Sequence, residues 1–420
     1  MNDTKRQDKP ISLVGAGLAG SLLSVYLANR GMRVNVYEYR GDMRRADVAG
    51  GRSINLALST RGLNALAGVD MAEQAREMCI PMHGRLIHDL EGNTELQPYG
   101  LEGQYINSIS RSGLNEMLLE EADQHDHIEL HFNQKCVGLD LEHPTVHFED
   151  LNSGERWDDD SQLVIGADGA FSNVRGRLQF TDRFDYQQSF LEHGYKELEI
   201  PPGPDGEHRI ETNALHIWPR HDFMMIALPN LDGSFTVTLF LAFEGEDSFE
   251  QLDDEQSVMA FFEEYFPDAI EHMPNLVEDF FENPTSSLVT IRCAPYHHDD
   301  KVLLVGDAAH AVVPFYGQGM NAAFEDCFEL DQLLERYDED WARVLPAFSE
   351  ERKPNADAIA DLALYNYIEM RSKVADETFL LRKAIDRKLH ELHPDTWIPL
   401  YSMVTFSNIP YAEARERANR

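Results

Sequence analysis

A glycine-rich turn near the N-terminus has the residue types and spacing that hold a dinucleotide. Gly15, Gly17 and Gly20 lie in GAGLAG, between the strand-like ISLV and the helix-like SLLSVYLANR, and Glu38 ends the next strand-like run 18 residues after Gly20. The first two glycines allow a tight turn and close backbone approach to a pyrophosphate, and the third lets helix and strand pack. Glu38 can accept a hydrogen bond from a ribose hydroxyl. Since an acidic residue repels the extra phosphate of NADP, the pattern predicts bound FAD or NAD.

A second glycine loop predicts contact with a flat polar ring. The strand-like KVLLV is followed by GDAAHAVVPFYGQGMNAAFED, which contains Asp307, Gly317 and Gly319. If Asp307 ends a strand beside the first turn, its carboxylate can accept from a ribityl hydroxyl of FAD. The two glycines and the following helix N-terminus would then lie against the isoalloxazine ring, where N–H groups stabilise negative charge on a reduced flavin. The alternative is an ordinary glycine-rich loop.

The elements that must position these residues form an α/β protein. ISLV, QLVIG (162–166) and KVLLV (301–305) predict one parallel sheet assembled from discontinuous segments, with ligand at the carboxyl ends of the strands. Asp168, in GADG, is expected to brace loops around the pyrophosphate. We therefore expect a Rossmann-like FAD-binding domain with an inserted antiparallel β-sheet substrate domain and a C-terminal helical segment. The predicted divisions are 1–77, 104–182 and 296–354 for the FAD-binding domain, 78–103 and 183–295 for the substrate domain, and 355–420 for the helical region.

Composition narrows the classes of partner. The chain has 420 residues, with 36 Lys and Arg against 74 Asp and Glu, a net charge of −38. Nucleic acid and anionic membranes need a basic footprint, so neither is expected as a partner. The four cysteines form no closely spaced pair, which predicts no metal site, no disulfide framework and a cytoplasmic location. The sequence contains no apolar run of about 18 residues, so no membrane span is expected. The N-terminus has no signal-like apolar core.

The glycine motifs together with GADGAFSNVR resemble the three fingerprints of single-component FAD-dependent aromatic hydroxylases. Four further segments are similar to those of the kynurenine 3-monooxygenase family: GGRSINLALSTRG (50–62), FDYQQSFLEHGY (184–195), LHIWPRHDFMMIALPN (215–230) and YNYIEMR (365–371). The likeness extends from about residue 11 to 372. Membrane-bound members have a hydrophobic C-terminal tail that this sequence lacks, so the resemblance implies a soluble bacterial-type form.

The resemblance implies a reaction. NADPH, as a transient co-substrate, would reduce tightly but non-covalently bound FAD, O2 would give a hydroperoxyflavin, and oxygen would pass to L-kynurenine to form 3-hydroxykynurenine. That step belongs to tryptophan catabolism by the kynurenine pathway, towards quinolinate and NAD synthesis. We expect no residue to act as a strong acid or base, because the aniline ring is electron-rich and the protein mainly positions it and excludes water. Arg44 and Arg45 could steer NADPH.

The resemblance also implies site residues. Arg85 and Tyr99 would bind the substrate carboxylate, Asn366 and Glu369 the amino-acid end, and Tyr401 is carried over with them. The ring would contact Leu215, Ile226, Phe240, Pro314 and Phe315. Cofactor contacts are expected from Gly15, Gly17, Leu18, Ala19, Gly20, Glu38, Arg40, Arg111, Asp307, Gly317, Gly319, Met320 and Asn321. Tyr316 departs from the histidine or phenylalanine of other bacterial members.

Alternatives stay open at this point. Arg85 could be an ordinary surface arginine, and Asn366 with Glu369 could be a solvated helix face. A hydroxylase of another aromatic acid, such as a benzoate or an anthranilate, would share every flavin motif. A non-catalytic flavin-binding sensor is the other alternative, and a homodimer is compatible with the sequence.

Overall fold

The computed structural model describes residues 9–45, 55–101, 103–373, 377–394 and 396–418. The first residues of the GGRSINLALSTRG motif (50–54) lie outside the described residues. The described strands are β1 (Ile11–Val14), β2 (Val34–Glu38), β3 (Asn55–Leu58), β4 (Ile80–Met82), β5 (Gly84–His88), β6 (Thr94–Pro98), β7 (Ile106–Ser110), β8 (Ile128–Phe132), β9 (Gln134–Asp140), β10 (Thr145–Asp150), β11 (Arg156–Asp160), β12 (Leu163–Gly166), β13 (Asp185–Ile200), β14 (Ala214–Arg220), β15 (Phe223–Pro229), β16 (Phe235–Ala242), β17 (Ser286–Ala294), β18 (His297–His298) and β19 (Val302–Leu304).

The described α-helices are α1 (Leu18–Asn29), α2 (Thr60–Ala67), α3 (Ala72–Glu77), α4 (Arg111–Asp123), α5 (Asn173–Leu178), α6 (Glu255–Tyr265), α7 (Pro267–Ile270), α8 (Leu276–Glu282), α9 (Asp307–His310), α10 (Gly319–Arg336), α11 (Trp341–Ile368), α12 (Glu377–Leu392), α13 (Leu400–Thr405) and α14 (Tyr411–Ala418). Short 3₁₀ turns cover Phe249–Gln251 and Pro314–Tyr316, and a π-helical turn covers Glu369–Lys373.

A six-stranded sheet forms the nucleotide-binding part. Its order is β18-β19-β12-β1-β2-β8, and all its strands except β18 run parallel. Every residue of β1 and β12 is buried, as expected for parallel strands covered on both faces. The three strands β1, β12 and β19 come from distant parts of the sequence and lie side by side, so the predicted discontinuous parallel sheet is confirmed.

A seven-stranded sheet, β17-β13-β16-β15-β14-β5-β6, forms the second part and is antiparallel except where β14 pairs with β5. Strands β15 and β16 form a hairpin, and its turn is closed by the Asn230 amide donating to the Ser234 carbonyl at 2.8 Å. Side chains alternate along β15. Met224 packs in the same core as Phe315 of the loop at 311–318, called the flavin loop here, whereas Met225 packs in the core on the other face of the sheet. The parallel pairing sets Arg85 beside Leu215.

Helices α11, α13 and α14 cover the face of this sheet that carries Met224. α11 passes through Pro354 without ending there, and the predicted domain divisions stay predictions. α12 spans Glu377–Leu392. Tyr411 of α14 is fully buried against the same core as Phe315 of the flavin loop, which fixes the C-terminal segment to the nucleotide-binding part. Within the described part of the chain, no helix has both the length and the apolar character needed to cross a bilayer.

Candidate active site

The first glycine turn is closed towards the protein and open outwards. Gly15 has φ +108°, and a Cβ there would lie 2.4 Å from the Ala167 carbonyl oxygen. A Cβ on Gly20 would lie 1.9 Å from the Gly15 carbonyl oxygen, so helix and strand pack in contact. At Gly17, the N-cap of α1, a Cβ would meet nothing within 4 Å. This leaves free space at a helix N-terminus, with half-buried Leu18 and Ala19 starting the helix, and a pyrophosphate fits there.

Glu38 is built into the same turn. Its buried carboxylate accepts from the Ala16 amide at 2.9 Å, and from the Arg40 amide and Nε at 3.0 and 2.7 Å. The Arg40 side chain is half exposed beside it. The carboxylate therefore holds the turn in shape while it places a cation at its outer rim, which fits the adenosine end of a dinucleotide.

The second glycine loop lies against the first. Gly306 has φ +57°, and a Cβ there would lie 3.2 Å from the Ala19 Cβ. Asp307 follows with an exposed side chain. The predicted position beside the turn is thus observed, although Asp307 begins the short helix α9 and does not end β19.

A buried ionic cluster holds this loop from behind. The Asp326 carboxylate accepts from the Gly306 amide at 2.8 Å, from His310 Nε2 at 2.6 Å and from Arg352 Nε at 2.8 Å. Burial lowers the pKa of His310, but Asp326 more than compensates, so the pKa of His310 is raised. The cluster therefore favours the imidazolium form of His310, and it fixes the loop from which Asp307 leaves the sheet.

The flavin loop itself is braced by Asn321. Gly317 has φ +65° after the 3₁₀ turn, and α10 begins at Gly319 with no side-chain cap on its first turn. Asn321 is fully buried; its Nδ2 donates to the carbonyls of Gly317 at 2.7 Å and Ala57 at 2.8 Å, and its Oδ1 accepts from the Ser59 amide at 2.9 Å. The asparagine fixes the loop from the protein side, and the uncapped helix end with half-buried Met320 borders the ring position.

Two further predicted cofactor residues lie near these turns. Arg111 is the exposed first residue of α4, after Ser110 caps that helix. Asp168 accepts from the amides of Asn173 and Val174 at 2.7 and 3.2 Å, and burial raises its pKa. Asp168 thus braces its loop as expected, and the open cradle, the anchored Glu38 and the uncapped loop helix together fit FAD.

The predicted ring-binding residues line one apolar cluster. Phe240 and Phe315 have ring centroids 4.9 Å apart, and Phe315 stacks on Tyr367 at 4.1 Å. Leu215 and half-buried Ile226 belong to the same cluster. Pro314, in contrast, is exposed at the edge of the loop. Strands β14 to β16 and the flavin loop therefore meet in one apolar cluster.

Arg85 is buried at one end of that cluster and is not a surface residue. Its side chain is 11% exposed, and its NH1 lies 3.8 Å from Glu369 Oε1. The guanidinium carbon is 5.6 Å from the Tyr99 ring centroid and 5.3 Å from that of Tyr401. Within the described part of the chain, buried Arg85 Nε and Tyr99 Oη have no hydrogen-bond partner. Such unpaired buried donors are costly unless a ligand satisfies them.

Three tyrosines enclose the guanidinium. The rings of Tyr99 and Tyr401 are stacked at 5.2 Å with 8° between their planes, and Tyr401 stacks on Tyr316 at 5.6 Å. Burial raises the pKa of all three phenols, which stay neutral hydrogen-bond donors. Burial acts to lower the pKa of Arg85, but the surrounding tyrosines and Glu369 raise it, so the cation persists.

Asn366 and Glu369 both lie at this end, and neither faces solvent. Asn366 Nδ2 donates to the Phe315 carbonyl at 2.6 Å, which ties α11 to the flavin loop. Glu369 begins the π-helical turn, a feature often found at functional sites. The predicted site list missed Tyr367, whose only sequence signal is its place between Asn366 and Glu369 in YNYIEM.

The arginines suggested to steer NADPH lie near the turn but are engaged. Arg44 pairs with Asp42 at 2.8 Å and with Asp123 at 2.9 Å, while Arg45 is largely exposed and lies 3.8 Å from Asp42. A steering role for this pair stays a prediction.

Comparisons with known proteins agree with this geometry. Residues 8–363 match the family model described as FAD binding domain. The chain is 51% identical over 404 residues to a kynurenine 3-monooxygenase of Flavobacterium johnsoniae, covering 96% of this chain and 90% of that protein. It is 47% identical over 415 residues to one of Anopheles gambiae, covering 98% and 85%.

Solved structures share the fold at low identity. The tetrameric form of 2-methyl-3-hydroxypyridine-5-carboxylic acid oxygenase superposes with a TM-score of 0.70 at 19% identity, covering 89% of this chain and 95% of that one. PqsL of P. aeruginosa in complex with 2-aminobenzoylacetate gives a TM-score of 0.69 at 20% identity, covering 86% and 96%. With about half of its residues identical to such relatives over nearly its whole length, the chain belongs to the kynurenine 3-monooxygenase family of FAD-binding proteins.

Proposed function

We propose that the protein hydroxylates L-kynurenine to 3-hydroxykynurenine with FAD, NADPH and O2. The observation that carries the proposal is the buried pair of Arg85 and Glu369, with unpartnered Arg85 Nε and Tyr99 Oη beside it. A buried cation and a buried anion 3.8 Å apart form a receptor for a zwitterion, and an aromatic amino acid is a zwitterion joined to a ring.

Substrate binding would replace one ion pair by two. The substrate carboxylate would accept from Arg85 and from Tyr99 Oη, which satisfies donors that have no protein partner in the described residues. The substrate ammonium would lie against the Glu369 carboxylate. Each buried charge of the protein thus keeps an opposite charge next to it, so binding exposes no unpaired charge to the low-dielectric interior.

The aromatic end of the substrate would lie among Leu215, Phe240 and Phe315. These side chains are buried and offer no proton donor or acceptor, so they orient the ring by shape and keep water out. When bound, FAD supplies the oxygen transfer after reduction by NADPH. The chain's own part is to hold the ring carbon ortho to the amine towards the flavin loop, and an electron-rich aniline needs no protein base for this.

The test is NADPH consumption by the purified flavoprotein. L-Kynurenine should accelerate the oxidation of NADPH and yield 3-hydroxykynurenine by liquid chromatography. An analogue without the aniline nitrogen should accelerate NADPH oxidation but release hydrogen peroxide, because its ring is a poorer nucleophile. If a benzoate or an anthranilate accelerated NADPH oxidation and L-kynurenine did not, another aromatic acid would be the substrate. A flavin that stayed oxidised under anaerobic NADPH and kynurenine would indicate a sensor.

We further propose that this activity serves tryptophan catabolism in the cytoplasm and that the protein forms a homodimer. Support for the cytoplasmic location comes from the cysteines, because none of them forms a disulfide, as in a reducing compartment, and burial raises the pKa of each thiol. They are Cys79, Cys136, Cys293 and Cys327. The homodimer is tested by light scattering on the eluted protein, where a monomer mass would contradict it.

A further inference from the structure

A groove of about 730 Å³ lies beside the chain segments that carry Arg85 and Tyr99. His83, two residues before Arg85, lines it, and so do Pro98 and Gly100 on either side of Tyr99. The Tyr99 amide donates to the His83 carbonyl at 3.2 Å, which joins the two segments into one wall. The groove therefore shares a wall with the site of Arg85 and Tyr99, where the substrate carboxylate is proposed to bind.

The other side of the groove is the C-terminal end of α12. Arg387 and His390 lie one turn apart on this helix and line the groove, Arg387 exposed and His390 buried. The acid among the lining residues is Glu391, and its carboxylate accepts from Lys388 Nζ at 2.9 Å. Among the described lining residues, three basic side chains (His83, Arg387 and His390) thus face one acid, Glu391, which is already paired.

Basic side chains thus outnumber acidic ones among the described lining residues, the reverse of the balance in the whole chain. A net charge of −38 repels a carboxylate and attracts an ammonium, so a free amino-acid zwitterion approaches amine first. The proposed binding mode needs the carboxylate to arrive first, because buried Arg85 lies next to the segments that line the groove. A groove with this excess of basic side chains would favour the carboxylate and correct the orientation before the substrate reaches Tyr99, whose ring centroid lies 5.6 Å from the Arg85 guanidinium carbon.

We propose that this groove is a receiving site for the α-carboxylate of the incoming amino acid, from which it passes to Arg85. The proposal rests on the proposed function, since it takes L-kynurenine as the substrate. Arg387 is then the outermost contact, because it is exposed and always charged. Its contribution is to the association rate and not to the bound state.

The experiment measures the association rate of L-kynurenine by stopped flow, from the change in flavin absorbance. Arg387→Gln should lower that rate by roughly threefold to tenfold at low ionic strength and by little at high salt, because an exposed charge is screened. The dissociation rate, the FAD content and the maximal turnover should stay unchanged. Arg382→Gln is the matched control: it removes an equal charge from the exposed surface of α12 at a residue that does not line the groove.

A carboxylate-free analogue, the amine obtained by decarboxylating kynurenine, supplies the second comparison. Its association rate should be the same with arginine or glutamine at position 387. Equal losses in Arg387→Gln and Arg382→Gln, or an equal loss for the carboxylate-free amine, would overturn the receiving site. If L-kynurenine gave no spectral change with the unaltered enzyme, the proposed substrate itself would be wrong and the receiving site would be rejected with it.

Discussion

Replacing Arg85 by methionine removes the cation at the centre of the proposed site and keeps a side chain of similar length. A charge-assisted pair with a carboxylate contributes about 1.5–4 kcal/mol. At about 1.4 kcal/mol for each factor of ten, the dissociation constant of L-kynurenine should rise roughly tenfold to a thousandfold. The effect should lie in the upper part of that range, because Glu369, 3.8 Å away, loses its cation and no longer offers the zwitterion a balanced pair.

The assay is an anaerobic titration of the flavin spectrum with L-kynurenine, followed by steady-state oxidation of NADPH. Arg85→Lys serves as a companion variant that keeps the charge but loses bidentate geometry, and it should fall between the wild type and Arg85→Met. FAD content should be the same in all three proteins, because Arg85 lies on β5 of the seven-stranded sheet and not at either glycine turn. Loss of FAD with an unchanged dissociation constant for L-kynurenine would refute the placement of this arginine.

Three further predictions follow from the geometry. Glu369→Gln should weaken the binding of L-kynurenine but strengthen the binding of its analogue without the α-amine, because the competing anion beside the Arg85 guanidinium is gone. Titration of the flavin spectrum with both compounds checks this, and weaker binding of both would contradict it. Gly17→Ala should fold normally yet bind FAD at least roughly tenfold more weakly (about 1.4 kcal/mol), measured by flavin fluorescence, because its methyl group fills the space for the pyrophosphate. Gly20→Ala should instead lower the melting temperature, because its Cβ would lie 1.9 Å from the Gly15 carbonyl oxygen. Equal effects of the two variants on FAD binding and on the melting temperature would refute this assignment. Because the pKa of His310 is raised, its pairing with Asp326 stabilises the fold fully below the unfolded pKa of about 6.5 and less as the pH rises through the folded pKa. The melting temperature should therefore fall on the alkaline side, and His310→Gln should make that fall smaller. An unchanged dependence of the melting temperature on pH in His310→Gln would disprove this.

Local rules account for much of the nucleotide-binding part. The order strand, glycine turn, helix and acid at Glu38 follows from backbone sterics and helix-end polarity, which act over a few residues. The period of two in β15 likewise assigns Met224 and Met225 to opposite faces, as observed. These features can be predicted because each depends on neighbours in the sequence.

The substrate end could not be predicted from local rules. The stack of Tyr99, Tyr401 and Tyr316 joins residues from three distant segments, and no spacing in the sequence indicates that they meet. Pro354 lies inside α11, where tertiary packing outweighs the local preference of proline against helix interiors. The roles of Arg85 and Glu369 came from the family resemblance, and their burial and 3.8 Å separation came from the fold.

The central claim is that a bound FAD transfers oxygen to the ring of an amino acid held by Arg85. Its most direct test is turnover of L-kynurenine with NADPH under isotopically labelled dioxygen, with the product analysed by mass spectrometry. The product should be 3-hydroxykynurenine that carries the labelled oxygen atom. NADPH oxidation that ignores L-kynurenine, or a product whose new oxygen comes from water, would contradict it.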